Sequence, residues 1–223
     1  MAATEQRQVM ADDDSTAEFW DDACRHLCRR DRVMKKLIPR FGDVRLQSRG
    51  DAFTTLARSI VGQQISVKAA QAVWKRFVDL TTGPLQSLDP RAVLALDAPQ
   101  IRAAGLSARK VEYLCDLAQH FQSGVVHVGQ WRKMDDEAII EELVAIRGIG
   151  RWTAEMFLIF HLLRPNVLPL DDVGLLKGIS VNYFSGEPVS RAEAREVGDA
   201  WAPYRSVATW YIWRSLEPTP VSF

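Results

Sequence analysis

The sequence predicts an all-α fold of the globular type. Apolar residues recur at helical spacing along most of the chain, as Phe53, Leu56 and Ile60 do. Only two stretches look like strands, 125–128 and 167–170, and both are too short to build a sheet. No heptad repeat persists, which excludes a coiled coil.

Start and stop signals place the helices in chain order. Ser15 and Glu18 have the spacing of a capping box, so a first helix is predicted from Ser15 to about Leu37, before Pro39. Ser107 can cap a later helix in the same way. The other predicted helices cover 51–62, 66–79, a short segment from Pro90, the segment from Pro99 to Gly105, 107–121, 136–146, 151–163, 172–182, 190–200 and 203–216, with a loop at 123–134.

Charge is balanced over the chain but not along it. The 28 basic and 28 acidic residues give a formal net charge of zero, which excludes a strongly basic architectural binder of nucleic acids. Residues 1–22 nevertheless hold seven acidic residues against Arg7, whereas 23–50 hold nine basic residues against two acidic ones. The body of the chain is therefore modestly basic and compatible with DNA, and residues 1–15 are predicted to be a disordered acidic tail.

Cysteine usage and hydropathy exclude several further classes. The three cysteines can supply neither a disulfide framework nor a four-cysteine metal cluster. No apolar run reaches the length of a membrane span, and the N-terminus lacks the apolar core of a signal peptide. We therefore expect a cytoplasmic protein.

The most informative stretch is 143–154, where one predicted helix ends and another begins within a few residues. Gly148 and Gly150 permit positive φ and the close approach of another backbone, and Ile149 between them can enter the core. The N–H groups at the start of the second helix, near Arg151 and Thr153, then form an anion site suited to a DNA phosphate. A tight αα-corner with glycine caps is the alternative interpretation.

Backbone carbonyls of the same hairpin can hold a cation. The carbonyls of Val144, Ile146 and Ile149 end the first helix and the turn, and they can bind a monovalent cation that bridges to the phosphate. Such contacts carry no sequence information, so they position a protein on DNA without reading bases. We predict no required cofactor beyond this ion.

Four motifs together resemble the helix-hairpin-helix glycosylase superfamily, and within it the DNA-3-methyladenine glycosylase II family. The first is Leu-x-x-Ile-x-Gly-Ile-Gly-x-Trp-Thr-Ala-Glu-Met at 143–156, followed by Leu-Pro-Leu-Asp-Asp-Val-Gly at 168–174. The others are Gly-Gln-Gln-Ile-Ser at 62–66, Ala-Gly-Leu-Ser-x-Arg-Lys at 104–110 and Trp-x-Pro-Tyr-Arg-Ser at 201–206. The resemblance covers roughly residues 40–216.

The resemblance implies that Asp172 is the catalytic aspartate. A fixed carboxylate stabilises the oxocarbenium character that develops on the sugar when an N-glycosidic bond breaks. Helix capping is the alternative role for Asp172, and the two roles are compatible. Asp171 is the second candidate, expected to support or to cap. Bifunctional relatives carry a lysine nucleophile where this chain has Trp152, so no lyase step is expected.

By the same resemblance, Trp152, Met156 and Trp213 line a pocket for the flipped base. The alternative for Trp152 and Met156 is the core stripe of a helix, which is also what we expect for Phe157 and Phe160. The turn that follows Gly62, which we call the wedge turn, is expected to insert a side chain into the gap that the flipped base leaves in the DNA stack. Gln64 is at the family's wedge position, and Ile65 is the apolar alternative. The residues expected to contact DNA are Gln63, Gln64, Ile65, Gly148, Ile149, Gly150, Arg151 and Thr153.

These features predict a monomeric, monofunctional glycosylase that excises alkylated purines, such as 3-methyladenine and 7-methylguanine, from double-stranded DNA. The expected architecture is two helical lobes, one of 45–160 and the other of 16–44 plus 161–223, with Asp172 in the cleft between them and no N-terminal β domain. Two alternatives stay open at this point. One is a related glycosylase for another lesion, and the other is a non-catalytic module that binds the DNA backbone.

Overall fold

The chain is all-α, as predicted. A computed structural model describes residues 12–42, 45–48, 50–81 and 88–216, with side chains from Phe19 onwards. These residues contain no β-strand. Their α-helices are α1 (Asp12–Arg30), α2 (Arg32–Leu37), α3 (Ala52–Gly62), α4 (Val67–Thr81), α5 (Pro90–Leu94), α6 (Ala98–Ala103), α7 (Ala108–Ser123), α8 (Asp136–Val144), α9 (Arg151–Phe160), α10 (Val173–Tyr183), α11 (Arg191–Asp199) and α12 (Arg205–Leu216).

The chain divides into two compact units. The hairpin unit is Arg49–Phe157, and the discontinuous unit combines Met1–Ser48 with Leu158–Phe223. The boundaries predicted from the sequence are 44/45 and 160/161, whereas these units meet at 48/49 and 157/158. Within the described ranges, no helix is long and apolar enough to cross a membrane.

The discontinuous unit differs from the prediction at its first helix, which is two helices rather than one. α1 begins at Asp12 and ends at Arg30, and α2 follows after Asp31. Asp31 has extended backbone and caps α2, because its carboxylate accepts the N–H groups of Val33 and Met34 at 2.7 and 2.9 Å. Because α1 begins at Asp12, residues 12–15 of the predicted disordered tail are helical, and the helix begins before Ser15. Residues 1–11 and the side chains of the predicted capping box lie outside what the structure describes.

Partly buried hydrogen bonds explain why the helix breaks at Asp31. The second carboxylate oxygen accepts the Tyr183 hydroxyl at 2.8 Å and the Trp201 indole N–H at 3.2 Å. Burial and the nearby Asp31 carboxylate both raise the pKa of Tyr183, so the phenol stays protonated and donates. The core around this network is formed by the buried residues Trp20, Ala23, Leu27, Met34, Leu37, Leu175, Ile179, Ala194, Trp201, Val207, Ala208, Trp210, Tyr211 and Ile212.

The hairpin unit packs its helices around a row of edge-to-face aromatic rings. Phe53 contacts Phe121, Phe121 contacts Trp131, and Trp131 contacts Phe157, with ring centroids 5.2–6.4 Å apart. Trp131 is only 1% exposed and lies in a 3₁₀ helix, Val128–Lys133. The predicted loop at 123–134 is therefore partly helical, because burial of Trp131 holds the segment against the core.

The carboxylate of Glu142 accepts hydrogen bonds from this region. Glu142 accepts hydrogen bonds from the Trp131 indole at 2.9 Å and from His127 at 2.6 Å. Burial acts to raise the pKa of Glu142, but these hydrogen bonds outweigh it, so the pKa lies below its usual value.

Candidate active site and DNA-contacting elements

Asp172 caps the helix that follows it. Its backbone is extended, and its Oδ1 accepts the Leu175 N–H of α10 at 2.6 Å. The preceding segment is held in place by Ser206, whose N–H donates to the Pro165 carbonyl and whose hydroxyl accepts the Val167 N–H, both at 2.9 Å. The carboxylate is therefore fixed by the start of a helix, which is the rigidity that an electrostatic catalyst needs.

A second donor reaches the same carboxylate oxygen. The Trp213 indole N–H on α12 donates to Asp172 Oδ1 at 2.7 Å. The Trp213 ring also stacks on Phe160, with centroids 5.6 Å apart and planes 13° from parallel. The structure thus joins two predicted site residues, Asp172 and Trp213, through a direct hydrogen bond.

Phe160 packs against the core of the discontinuous unit, as its helical spacing in an apolar stripe predicts. Its contact with Trp213 is what the sequence does not predict. Phe160 is only partly buried, and one of its faces is covered by Trp213. Its pairing with an aromatic residue more than 50 positions away leaves no signal in the local pattern.

Two neighbours of Asp172 have distinct roles. Asp171 is exposed and forms an ion pair at 2.6 Å with the side chain of Arg191, the first residue of α11, whereas the cap of α10 is Asp172. Gly174 lies directly against the site: a Cβ there would be 3.1 Å from Asp172 Oδ1 and 3.3 Å from the Trp213 ring. A glycine at this position leaves the hydrogen bond between Asp172 and Trp213 undisturbed.

In the hairpin unit, α8 and α9 are joined by the glycine turn that the sequence predicts. Gly148 has φ +88°, and a Cβ there would meet the Tyr113 ring of α7 at 2.2 Å. Ile149 is buried, 3% exposed, and anchors the turn in the core. The structure corrects one expectation for Gly150: its φ is not positive, and a Cβ there would meet nothing within 4 Å. Gly150 immediately precedes α9, and its carbonyl accepts the Ala154 N–H at 3.0 Å.

The anion site is predicted at the first turn of α9. Its leading N–H groups, including those of Arg151 and Thr153, precede the first intrahelical bond and lie at the positive end of the helix dipole. The Arg151 guanidinium, however, binds two carboxylates, Glu137 at 2.5 and 2.9 Å and Glu155 at 3.1 Å. The bond to Glu137 raises the pKa of Arg151, and the same bond lowers the pKa of Glu137. A phosphate bound here would therefore contact chiefly backbone N–H groups.

The predicted cation ligands are backbone carbonyls of the same hairpin. The Ile146 carbonyl already accepts the Ile149 N–H at 3.1 Å, which leaves one lone pair for an ion. Ile146 and Ile149 bury their side chains, whereas Val144 is exposed. In the described part of the chain, no group of His, Cys, Asp or Glu residues could hold a metal ion. The carbonyl site stays a prediction.

The wedge turn follows α3 and carries two exposed side chains. Gln64 has a left-handed backbone, φ +58°, and Ile65 is 40% exposed beside it. Gln63 points the other way, and its side-chain amide donates to the Gly148 carbonyl at 2.8 Å. Of the three residues expected to contact DNA here, Gln64 and Ile65 lie at the tip, and Gln63 ties the turn to the hairpin.

The two remaining pocket candidates differ in exposure. Trp152 is 41% exposed on the first turn of α9, an unusual position for so large an aromatic side chain. Met156, one turn later, is buried. The core alternative therefore fits Met156 better than Trp152.

Comparisons with known proteins show which family this chain resembles. The family of HhH-GPD superfamily base excision DNA repair proteins matches residues 57–203. DNA-3-methyladenine glycosylase 1 of Schizosaccharomyces pombe is 31% identical over 196 residues, covering 86% of this chain and 86% of the relative. DNA-3-methyladenine glycosylase 2 of Escherichia coli is 29% identical over 177 residues, covering 76% of this chain but 60% of the relative.

Solved structures of 3-methyladenine DNA glycosylases are also similar to this chain. The 3-methyladenine DNA glycosylase of S. pombe in complex with abasic DNA superimposes with a TM-score of 0.74 at 30% identity, covering 87% of this chain and 96% of that chain. A DNA-3-methyladenine glycosidase from Bacillus halodurans gives 0.80 at 36% identity, covering 86% and 87%. With the hairpin, the capping aspartate and these matches taken together, the chain belongs to the HhH-GPD superfamily of base excision DNA repair proteins.

Proposed function

We propose that the protein is a DNA glycosylase that removes alkylated purines, of the 3-methyladenine and 7-methylguanine type, from duplex DNA by hydrolysis and without a lyase step. The observation that carries this proposal is the Asp172 carboxylate, held by Leu175 N–H at 2.6 Å and Trp213 N–H at 2.7 Å. Relatives named DNA-3-methyladenine glycosylases over most of this chain support the choice of substrate.

The role of Asp172 follows from the charge that develops during bond cleavage. As the purine departs, positive charge spreads over C1′ and the ring oxygen of deoxyribose. A carboxylate whose position is already fixed stabilises that charge without having to reorganise during the reaction. The same carboxylate can orient the water that attacks C1′ and accept its proton. The purine leaves with the electron pair of the glycosidic bond, which a positively charged alkylated base accepts readily.

Recognition of the base follows from the same positive charge. The stacked pair of Phe160 and Trp213 lies beside Asp172 and presents electron-rich aromatic surface. Cation–π attraction to such rings contributes roughly 0.5–2 kcal/mol, and it favours alkylated purines over neutral ones. This mode of binding reads charge rather than base identity, so we propose a broad substrate range among alkylated purines.

The absence of a lyase step follows from residue 152. Strand cleavage by bifunctional glycosylases needs an amine that forms a Schiff base with C1′. This chain has Trp152 at the hairpin position where those enzymes carry the lysine. We propose that water is the only nucleophile and that the product is an intact abasic strand.

Base release from methylated duplex DNA tests the proposal. We expect free 3-methyladenine and 7-methylguanine, and no nicked strand unless alkali is added. Asp172→Asn should lower the single-turnover rate by on the order of 10²–10⁴. Asp171→Asn is the matched variant, because it removes a neighbouring carboxylate that pairs with Arg191, and its rate should stay close to that of the wild type.

Four outcomes would each contradict part of the proposal. No release of either base would argue against the substrate class, and release from mismatched duplexes alone would indicate another lesion. A rate that Asp172→Asn leaves unchanged would reject the catalytic role. Nicking without alkali would reject the monofunctional mechanism.

A further inference from the structure

The motif Ala-Gly-Leu-Ser-Ala-Arg-Lys at 104–110 takes no part in the proposed chemistry, yet it ends in a lysine with unusual contacts. The Lys110 ammonium donates to the Val61 carbonyl at 2.7 Å and to the Gln63 carbonyl at 2.6 Å. These carbonyls lie where α3 ends and the wedge turn, residues 63–66, begins. Lys110 thus binds the backbone at the base of the wedge turn.

The charge of Lys110 interacts unfavourably with the dipole of its own helix, α7, and favourably with the end of α3. Lys110 lies in the first turn of α7, where the helix dipole disfavours a cation, and burial lowers its pKa. The carbonyls at the end of α3 lack intrahelical donors and carry partial negative charge, so an ammonium is favourable there. The charge of Lys110 therefore stabilises the wedge turn rather than α7.

The same face of α7 also supports the hairpin. Tyr113, three residues after Lys110, packs its ring against Gly148 so closely that no Cβ would fit. Asp116, three residues further on, accepts the Arg147 N–H at 2.8 Å. The side chain of Gln63 connects the wedge turn directly to the hairpin, because its amide donates to the Gly148 carbonyl at 2.8 Å.

We infer that this face of α7 sets the spacing between the wedge turn and the hairpin, with Lys110 as the positioning residue that holds the wedge in register. The inference rests on the proposed function, since it concerns how that enzyme opens the DNA stack. Gln64 at the tip has φ +58°, a backbone conformation that a non-glycine residue keeps only when its surroundings impose it. The two bonds from Lys110 to the base of the turn supply that constraint.

Lys110→Met tests the inference, because it keeps the length of the side chain and removes both hydrogen bonds. The probe is a duplex with a tetrahydrofuran abasic site and 2-aminopurine as its neighbour, whose fluorescence rises when the wedge unstacks it. We expect a smaller rise for Lys110→Met and a single-turnover rate of base release about tenfold lower, as for loss of a hydrogen bond to a charged group. Lys75→Met is the matched control, since Lys75 is exposed and pairs with Asp79 on the surface of α4.

A double-mutant cycle separates positioning from general damage to the fold. If Lys110 acts through the wedge, Lys110→Met should cause no further loss in a background that carries Gln64→Ala and Ile65→Ala. An equal loss in both backgrounds would overturn the inference, as would wild-type fluorescence and rate in Lys110→Met. If Lys110→Met does not fold, Gln63→Met carries the test, because it removes the link to Gly148 and should also reduce the fluorescence rise.

The fluorescence measurement is independent of the proposed chemistry. Unstacking at an abasic site requires no bond cleavage, so a wild-type protein that releases no alkylated base but raises the fluorescence would refute the proposed function alone. A wild-type protein that releases base while Lys110→Met behaves identically would refute the role of Lys110 alone.

Discussion

Trp213→Phe removes one hydrogen bond from the Asp172 carboxylate and keeps an aromatic ring against Phe160. The lost bond, from the indole N–H to Oδ1, is 2.7 Å long, which is typical of a bond to a charged acceptor. Bonds to charged groups contribute about 1.5–3 kcal/mol. Since about 1.4 kcal/mol corresponds to a factor of ten, a bond that is fully effective in the transition state predicts a rate about 10- to 100-fold lower. Leu175 N–H still holds the same oxygen, so the loss should be smaller than for Asp172→Asn.

Single-turnover release of 7-methylguanine from a defined duplex is the assay for this variant. We expect the rate constant to fall while affinity for a duplex with an abasic analogue changes little, because the missing bond acts on the carboxylate rather than on the DNA. Phe160→Leu is the complementary variant, since it removes the stacked ring and leaves the bond between Trp213 and Asp172 in place. A Trp213→Phe rate equal to the wild type, or a fall explained wholly by weaker binding, would refute a role for this hydrogen bond.

Two further predictions separate activity from stability. Gly174→Ala places a Cβ 3.1 Å from Asp172 Oδ1 and 3.3 Å from the Trp213 ring, so the carboxylate must shift and base release should slow several-fold. The melting temperature should stay the same or rise, because alanine is favoured over glycine within helices by about 1 kcal/mol. Unchanged release by a less stable variant would contradict this. The pKa of Glu142 is lowered on folding, so Glu142 stabilises the protein above the unfolded pKa near 4.5, and that contribution is lost as the pH falls through the lower folded pKa. Urea unfolding should therefore give Glu142→Gln a lower free energy of unfolding than the wild type at pH 6, and this difference should shrink towards pH 3. A difference that does not change with pH would contradict the lowered pKa of Glu142.

Local signals predicted most helices because each signal acts within one turn. Asp172 is the clearest case at the site: an aspartate followed by an apolar helical run predicts a cap, and its Oδ1 accepts the N–H three residues later. Ser107 caps α7 through the Lys110 N–H for the same reason. The glycine turn at 148 was also foreseeable, since few other residues tolerate its φ of +88°.

Errors arose where a distant partner overrides the local pattern. The helical pattern continues through Asp31, but hydrogen bonds from Tyr183 and Trp201, more than 150 residues away, favour a break there. The segment around Trp131 looked like a loop, yet contacts with Phe121 and Phe157 bury the ring and order the backbone. Gly150 looked like a second positive-φ glycine, but the start of α9 gives it an ordinary conformation.

By itself, the sequence determined the helical class, the order of the helices, the hairpin and the aspartate that caps α10, because these depend on spacing within a few residues. Tertiary structure alone decided which groups act together. The bond from Trp213 to Asp172, the stack of Trp213 on Phe160 and the hydrogen bonds from Lys110 to the wedge turn each join residues at least 41 positions apart. Hydrogen bonds and ring contacts reach only a few ångströms, so such pairs exist only once packing has brought their helices together.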